Sequence, residues 1–290
     1  MYGGCLTPCL LLGDVGLDDS SVGLFAGLPV LLYGFILGTA HPLVGVARRD
    51  RGAPGLSVPG AWGGGMRYGI DVAILGDLAE PAHLVTLARE AEAAGWDAVL
   101  VWDHLAFTWG MASVDPWVTL AAAAQVTSRI MLGTVVTAVT RHRPERLAQT
   151  VATLDRLSGG RAILGAGLGG VRQEFTAFGS TRPGGVVLDE ALDVMVSLWS
   201  GEEVHHRCAH YTVDGVRLAP LPLQRPRVPV WIGGTAPGAL RRAARWDGWI
   251  VVGDDQEGRM TLSPDSWPLR SASCAGTGLL RATSMWRSSG

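Results

Sequence analysis

The stretch that most constrains this chain runs from Leu157 to Gly170 and reads L-S-G-G-R-A-I-L-G-A-G-L-G-G. Ser158, Gly159 and Gly160 end a preceding helix, and residues 161–164 are short and apolar enough to form a buried strand. The glycines that follow are expected to open a loop where a ligand can touch bare backbone. Parallel sheets bury both faces of their strands and bind ligands at the carboxyl ends, so a strand running into G-x-G-x-G-G is where chemistry belongs.

From Met66 onward the surrounding chain repeats one unit. Residues 68–74 read as a strand, 81–94 as a helix with proline in its first turn, and Gly95 ends that helix before a strand at 98–102. Asp115-Pro116 caps a second helix that feeds a strand at 130–136; Pro144 starts a third, which feeds 162–165. Further on, 228–232 is a strand, 237–245 a helix and 249–252 a strand. An insertion precedes these, with apolar residues at helical spacing over 188–199. A hairpin at 203–217 turns either at Asp214-Gly215 or just before Tyr211.

Two segments echo each other: A-R-E-A-E-A-A-G-W-D-A-V-L-V at 88–101 and L-R-R-A-A-R-W-D-G-W-I-V-V at 240–252. Both run helix, Trp-Asp, apolar strand. Repeated βα units favour a parallel barrel over a doubly wound sheet. Six strands are countable where an eight-stranded barrel needs two more, so the expected fold is an α/β (β/α)8 barrel, incomplete at its C-terminal end.

The two ends of the 290-residue chain differ from this body. Residues 1–65 carry Gly, Leu and Pro in irregular order, and 22–47 holds no formal charge over a length that could cross a bilayer. Its glycines and prolines interrupt a lipid-facing helix, so the expected reading is an atypical extension with the functional protein starting at Met66, and a membrane anchor is the less favoured alternative. Residues 253–290 read as a divergent or disordered tail.

Charge narrows the partners. All 24 basic residues are arginine, set against 26 acids without basic clusters, which argues against nucleic acid and for a small-molecule substrate. Cys5, Cys9, Cys208 and Cys274 show no disulfide spacing, so a reducing cytoplasm is the expected location.

Four runs taken in order resemble one family. They are A-R-E-A-E-A-A-G-W-D-A-V-L-V-W-D-H-L, L-G-T-V-V-T-A-V-T-R-H-R-P, L-D-R-L-S-G-G-R-A-I-L-G-A-G-L-G-G and P-L-P-L-Q-R-P-R-V-P-V-W-I-G-G. Over Met66 to about Val252 the chain resembles the bacterial luciferase-like flavin- and deazaflavin-dependent oxidoreductases. The resemblance implies a barrel that binds FMN or coenzyme F420 at its strand tips, with NAD(P)H as a possible reductant, and commonly a homodimer. It implies hydride transfer to or from an organic substrate, or oxygen activation by reduced FMN. The competing reading is a truncated, non-catalytic barrel remnant or a partner-dependent protein.

By the same resemblance, Asp103 and His104 end the second strand beside the reactive ring edge. Val135 and Val136 lie where the family often has a cis peptide. Gly167, Leu168 and Gly169 would line the cofactor's chain, and Gly233, Gly234 and Thr235 its phosphate, a placement also suited to glycines between a strand and a helix start. Arg141 or Arg172 would add charge there.

His104 is the leading acid or base, because imidazole titrates near neutral pH, with Asp103 either orienting it or bonding the cofactor and His142 as a weaker second candidate between Arg141 and Arg143. Deazaflavin dehydrogenases of the family often carry glutamate just after the glycine loop. Gly170 stands there, and the nearest acid is Glu174. On an extended strand His206, Cys208 and His210 would share a face that zinc could use, with His205 beside them. No second ligand cluster is evident in the sequence, so no metal is assigned. Most tryptophans suit core packing; Trp109, in the loop after His104, is placed to cover a substrate.

Overall fold

The computed structural model describes residues 67–251, together with 33–37 as backbone. The remainder of the N-terminal extension, the tail from 252 onward, and Cys5, Cys9 and Cys274 lie outside the described residues.

Strand β1 is Tyr33–Leu37 and β2 is Arg67–Val72, followed by α1 (Pro81–Ala93), β3 (Ala98–Val101) and α2 (Pro116–Val126). Then come β4 (Met131–Thr134), the short β5 (Thr137–Ala138), α3 (Pro144–Leu157), β6 (Ala162–Gly167) and α4 (Gln173–Thr176). The chain continues through α5 (Gly185–Trp199), β7 (Val204–Arg207), β8 (Thr212–Val216), β9 (Val230–Gly233), α6 (Pro237–Ala243) and β10 (Gly248–Ile250). Four of these helices begin on proline, whose fixed φ suits the first turn and whose missing N–H is unneeded there. Asp115 caps α2 by accepting the Val118 N–H at 2.8 Å, as its sequence position implies.

The main sheet runs β1-β2-β3-β4-β6-β9-β10, and every pairing from β2 to β10 is parallel. Over the described residues it is an open part of a (β/α) barrel, with the six parallel strands the sequence indicates and the short β5 added parallel to β6. β1 joins β2 antiparallel, so the described part of 22–47 is strand and not helix. No helix among the described residues is long and apolar enough to cross a membrane.

Alternation along the strands builds two apolar layers. Val99, Val101, Leu164, Val230 and Ile232 face the helices, where Leu147, Val151, Leu192 and Met195 meet them. Ala98, Leu100, Ile163, Trp231 and Ile250 lie on the other face, inside the curved sheet. Fully burying each large aliphatic side chain contributes about 1.5–3 kcal/mol.

The Trp-Asp echo has a common structural cause. Asp97 accepts the Tyr68 N–H at 2.9 Å and Asp247 accepts the Val230 N–H at 2.7 Å, so each aspartate ties its own strand to the start of the preceding one. Buried Arg161 has a similar tying role. It donates to the carbonyls of Ala124, Thr127 and Ile130, fixing the C-terminus of α2 against the start of β6, a place where a cation also meets the helix dipole favourably.

One expectation is corrected, and one of two alternatives holds. β6 does not open into a loop at Gly165 but stays extended to Gly167. A Cβ on Gly165 would lie 1.9 Å from the Thr134 carbonyl oxygen, so this glycine is a packing requirement of neighbouring strands. The hairpin turns between Arg207 and Thr212, just before Tyr211, and Asp214-Gly215 lies within β8.

Candidate functional site

The carboxyl ends of β3, β4, β6 and β9 and the turn after β5 carry the sequence-predicted site residues, and packing joins Val136 with Gly167 and Gly233, and Asp103 with His142. The Val135–Val136 peptide after β4 is cis. Val136 sits between two strand ends: a Cβ on Gly167 would lie 2.6 Å from its Cγ2, and one on Gly233 would lie 2.6 Å from its Cγ1. These two glycines are therefore required by the close approach of Val136, independently of any ligand. Gly169 turns with φ +79°, and Leu168 packs on the main core.

The polar centre of the site is built on a residue that the sequence assigns elsewhere. Arg141 is nearly buried and pairs at once with Asp103 and Glu174. Its Nη2 also donates to the Asp103 carbonyl at 3.1 Å. It is thus committed to two carboxylates after β3 and β6 and does not supply charge to a phosphate beside Gly233, whereas Arg172, which precedes α4, is exposed.

Glu174 is the residue sequence reasoning undervalued. It stands four places beyond the family position, yet α4 folds back so that its buried carboxylate accepts from His104 Nδ1 at 2.7 Å and from the Leu105 N–H at 2.9 Å. Nδ1 is taken by this carboxylate, and Nε2 is outside that bond. Its ring meets Trp102 and Trp109 edge-on, with centroids 5.6 and 5.5 Å away. The signal available in the sequence was position: Glu174 is the acid nearest Gly170, where the family often carries glutamate.

Asp103 has a different partner from the one expected. It does not bond His104 but accepts from His142 Nε2 at 3.2 Å as well as from Arg141. Burial works to raise its pKa, but the His142 hydrogen bond and the Arg141 charge outweigh that and hold the carboxyl below its ordinary range. His142 and His104 therefore flank one ion-paired cluster, each on its own carboxylate.

The proposed phosphate corner is smaller than the sequence suggests. The Gly234 N–H donates to the Ile250 carbonyl at 3.1 Å, and the Gly234 carbonyl accepts from Trp249 Nε1 at 2.8 Å. Both backbone groups of Gly234 are used by the fold. Thr235, exposed between Gly234 and α6, is the member of the predicted trio that keeps its groups towards solvent.

The luciferase-like monooxygenase family matches residues 57–263. The chain belongs to that family. An F420-dependent hydroxymycolic acid dehydrogenase of Mycobacterium tuberculosis is 34% identical over 195 residues, covering 64% of this chain and 53% of that one. The structure of an F420-dependent secondary alcohol dehydrogenase with an F420-acetone adduct aligns at TM-score 0.61 and 25% identity, over 72% of this chain and 64% of that one. Monooxygenase RslO1 from Streptomyces bottropensis aligns at TM-score 0.58 and 26% identity, over 67% and 60% respectively. The chain spans about half to three fifths of the length of the curated relatives it matches.

Proposed function

We propose that this protein is an oxidoreductase that interconverts an alcohol and a carbonyl compound with coenzyme F420, His104 exchanging the hydroxyl proton. The observation that carries the reading is the 2.7 Å hydrogen bond between His104 Nδ1 and the buried Glu174 carboxylate. When bound, the coenzyme supplies the two-electron chemistry by accepting or giving hydride. Oxidising an alcohol also requires removal of a proton from its oxygen. Glu174 orients the His104 ring through Nδ1, so that Nε2 is the nitrogen that takes that proton, and Arg141 holds Glu174 in place. Trp102 and Trp109 bracket the imidazole with apolar surface. Val135, Val136, Gly167, Leu168 and Gly169 would support the coenzyme ring and its chain, and Thr235 with Gly233 and Gly234 would stand at its phosphate end.

FMN is the second reading, supported by the family's name and by the likeness to a monooxygenase. The imidazole–carboxylate pair favours the dehydrogenase, because hydride transfer to or from an alcohol needs a proton carrier at the strand tips. The test is an anaerobic assay of the full chain with F420 and a panel of secondary alcohols, following loss of the oxidised coenzyme's absorbance. His104→Ala is expected to lower kcat by about 10²–10⁴-fold. Turnover at the wild-type rate in that variant would refute the role.

A further inference from the structure

The β7–β8 hairpin carries a second cluster of chemical side chains, outside the strand-tip site. His205 and His206 point to opposite faces of β7. His205 is exposed and bonds Glu203 and Asp214, whereas His206 turns inward to α5. There it meets Glu190, a buried residue on the first half of α5, and Cys208 follows on the same side of the hairpin. The ligand atoms of Glu190, His206 and Cys208 all lie within 4.8 Å of one another. Glu190 is the ligand that sequence spacing could not reveal, because a helix 16 residues away in the chain brings it to the hairpin.

We propose that Glu190, His206 and Cys208 form a binding site for Zn²⁺ that clamps the hairpin to α5. The donor set of one thiolate, one imidazole and one carboxylate suits this borderline-soft ion, which takes sulfur, nitrogen and oxygen in tetrahedral geometry. Distance supports the choice. Two ligands about 2.1 Å from a tetrahedral zinc lie roughly 3.4 Å apart. His206 Nε2 and Glu190 Oε1 are 3.4 Å apart, long for a hydrogen bond and matched to shared coordination. The Cys208 side chain, exposed and outside any disulfide, is free to swing the remaining distance.

The outer partners are also in place. His210 Nδ1 bonds Glu190 Oε2 at 2.7 Å, and the Tyr211 N–H donates to Oε1 at 2.8 Å, which orients the carboxylate as a ligand needs. The turn-anchoring role accounts for Glu190 and His210. It leaves His206 with one marginal contact and gives Cys208 no task. Water would take the fourth position, since His210 is engaged with the other carboxylate oxygen.

The test uses the full chain, stripped with a chelator and titrated with Zn²⁺ and, as a spectroscopic probe, with Co²⁺. The expected result is saturable binding, a sulfur-to-cobalt charge-transfer band, and a zinc-dependent rise in Tm. Cys208→Ser, at an exposed position, keeps the circular dichroism of the parent but loses the band and weakens Zn²⁺ binding by at least about 10-fold, as does His206→Ala. His205→Ala, on the opposite face, binds as the parent does. Unchanged binding in either Cys208→Ser or His206→Ala, or no saturable binding in the parent, overturns the assignment.

Discussion

Replacing Glu174 by glutamine keeps its shape and removes its charge at the point where three donors converge. The carboxylate is fully buried and accepts the Leu105 N–H, His104 Nδ1 and Arg141 Nη1. If the amide oxygen keeps the first two donors, its NH₂ faces the Arg141 guanidinium, and one charge-assisted bond becomes a donor–donor contact. Such a bond contributes about 1.5–3 kcal/mol. Arg141 retains Asp103, so the full cost of about 3–5 kcal/mol for orphaning a buried charge is not reached. The expected loss is about 2–3 kcal/mol, which for a body of this size lowers Tm by roughly 4–12 °C. If the amide flips, the NH₂ faces His104 and the imidazole loses its acceptor. In the first case the ring keeps its tautomer but loses the negative charge beside it; in the second the NH₂ donates to Nδ1 and the ring is held in the opposite tautomer, with the proton on Nε2. Calorimetry and steady-state kinetics on the same preparation check both consequences: a lower Tm, and a kcat reduced about 100-fold while coenzyme affinity stays within about 3-fold. A Tm within about 1 °C of the parent together with a kcat within about 2-fold would refute the reasoning.

Two further substitutions probe the frame of the site. Gly165→Ala drives a Cβ to 1.9 Å from a backbone carbonyl and is expected to yield insoluble or unfolded protein, whereas Gly170→Ala, with nothing within 4 Å, stays within about 0.5 kcal/mol of the parent in chemical denaturation. Glu92 on α1 accepts the N–H groups of Ser128, Arg129 and Ile130. Although burial opposes it, these bonds lower its pKa from 4.5 to about 2. Because the folded value is the lower one, the stabilisation is fully present above pH 4.5 and is lost as pH falls towards 2. Full linkage would give roughly 3 kcal/mol, and solvent screening reduces this to about 1–2 kcal/mol. Urea unfolding of Glu92→Gln against the parent should show that gap at pH 7 and its closure near pH 2; a gap that widens in acid would contradict the sign.

The strand and helix alternation was legible because its signals are local. Pro81, Pro116, Pro144 and Pro237 mark helix starts wherever they occur in such a pattern, and the Trp-Asp pairs mark strand starts by a bond that each makes to the strand before it. The glycines after Leu164 were harder to read. A loop glycine and a strand glycine pressed by a neighbour look alike in sequence, and only the Thr134 carbonyl and the Val136 side chain distinguish them. The polar site was half legible. His104 and Asp103 follow a strand and announce themselves, but their partners depend on where α4 and the residues after β5 travel. That path gives His104 to Glu174 and Asp103 to Arg141 and His142. The place of Glu174, four residues after Gly170, was the one sequence clue to this exchange of partners. Glu190 is a parallel case at the hairpin, where contact between a helix and a turn joins residues that no spacing rule connects.

The central claim is that the strand tips around Val136 hold a redox coenzyme, and direct titration of the purified full chain with coenzyme F420 and, separately, with FMN tests it most simply. The account predicts saturable binding, seen as a change in coenzyme fluorescence, that is lost when Val136→Asp places a charge between Gly167 and Gly233. A folded protein that binds neither coenzyme, or one whose binding is indifferent to Val136→Asp, would contradict it.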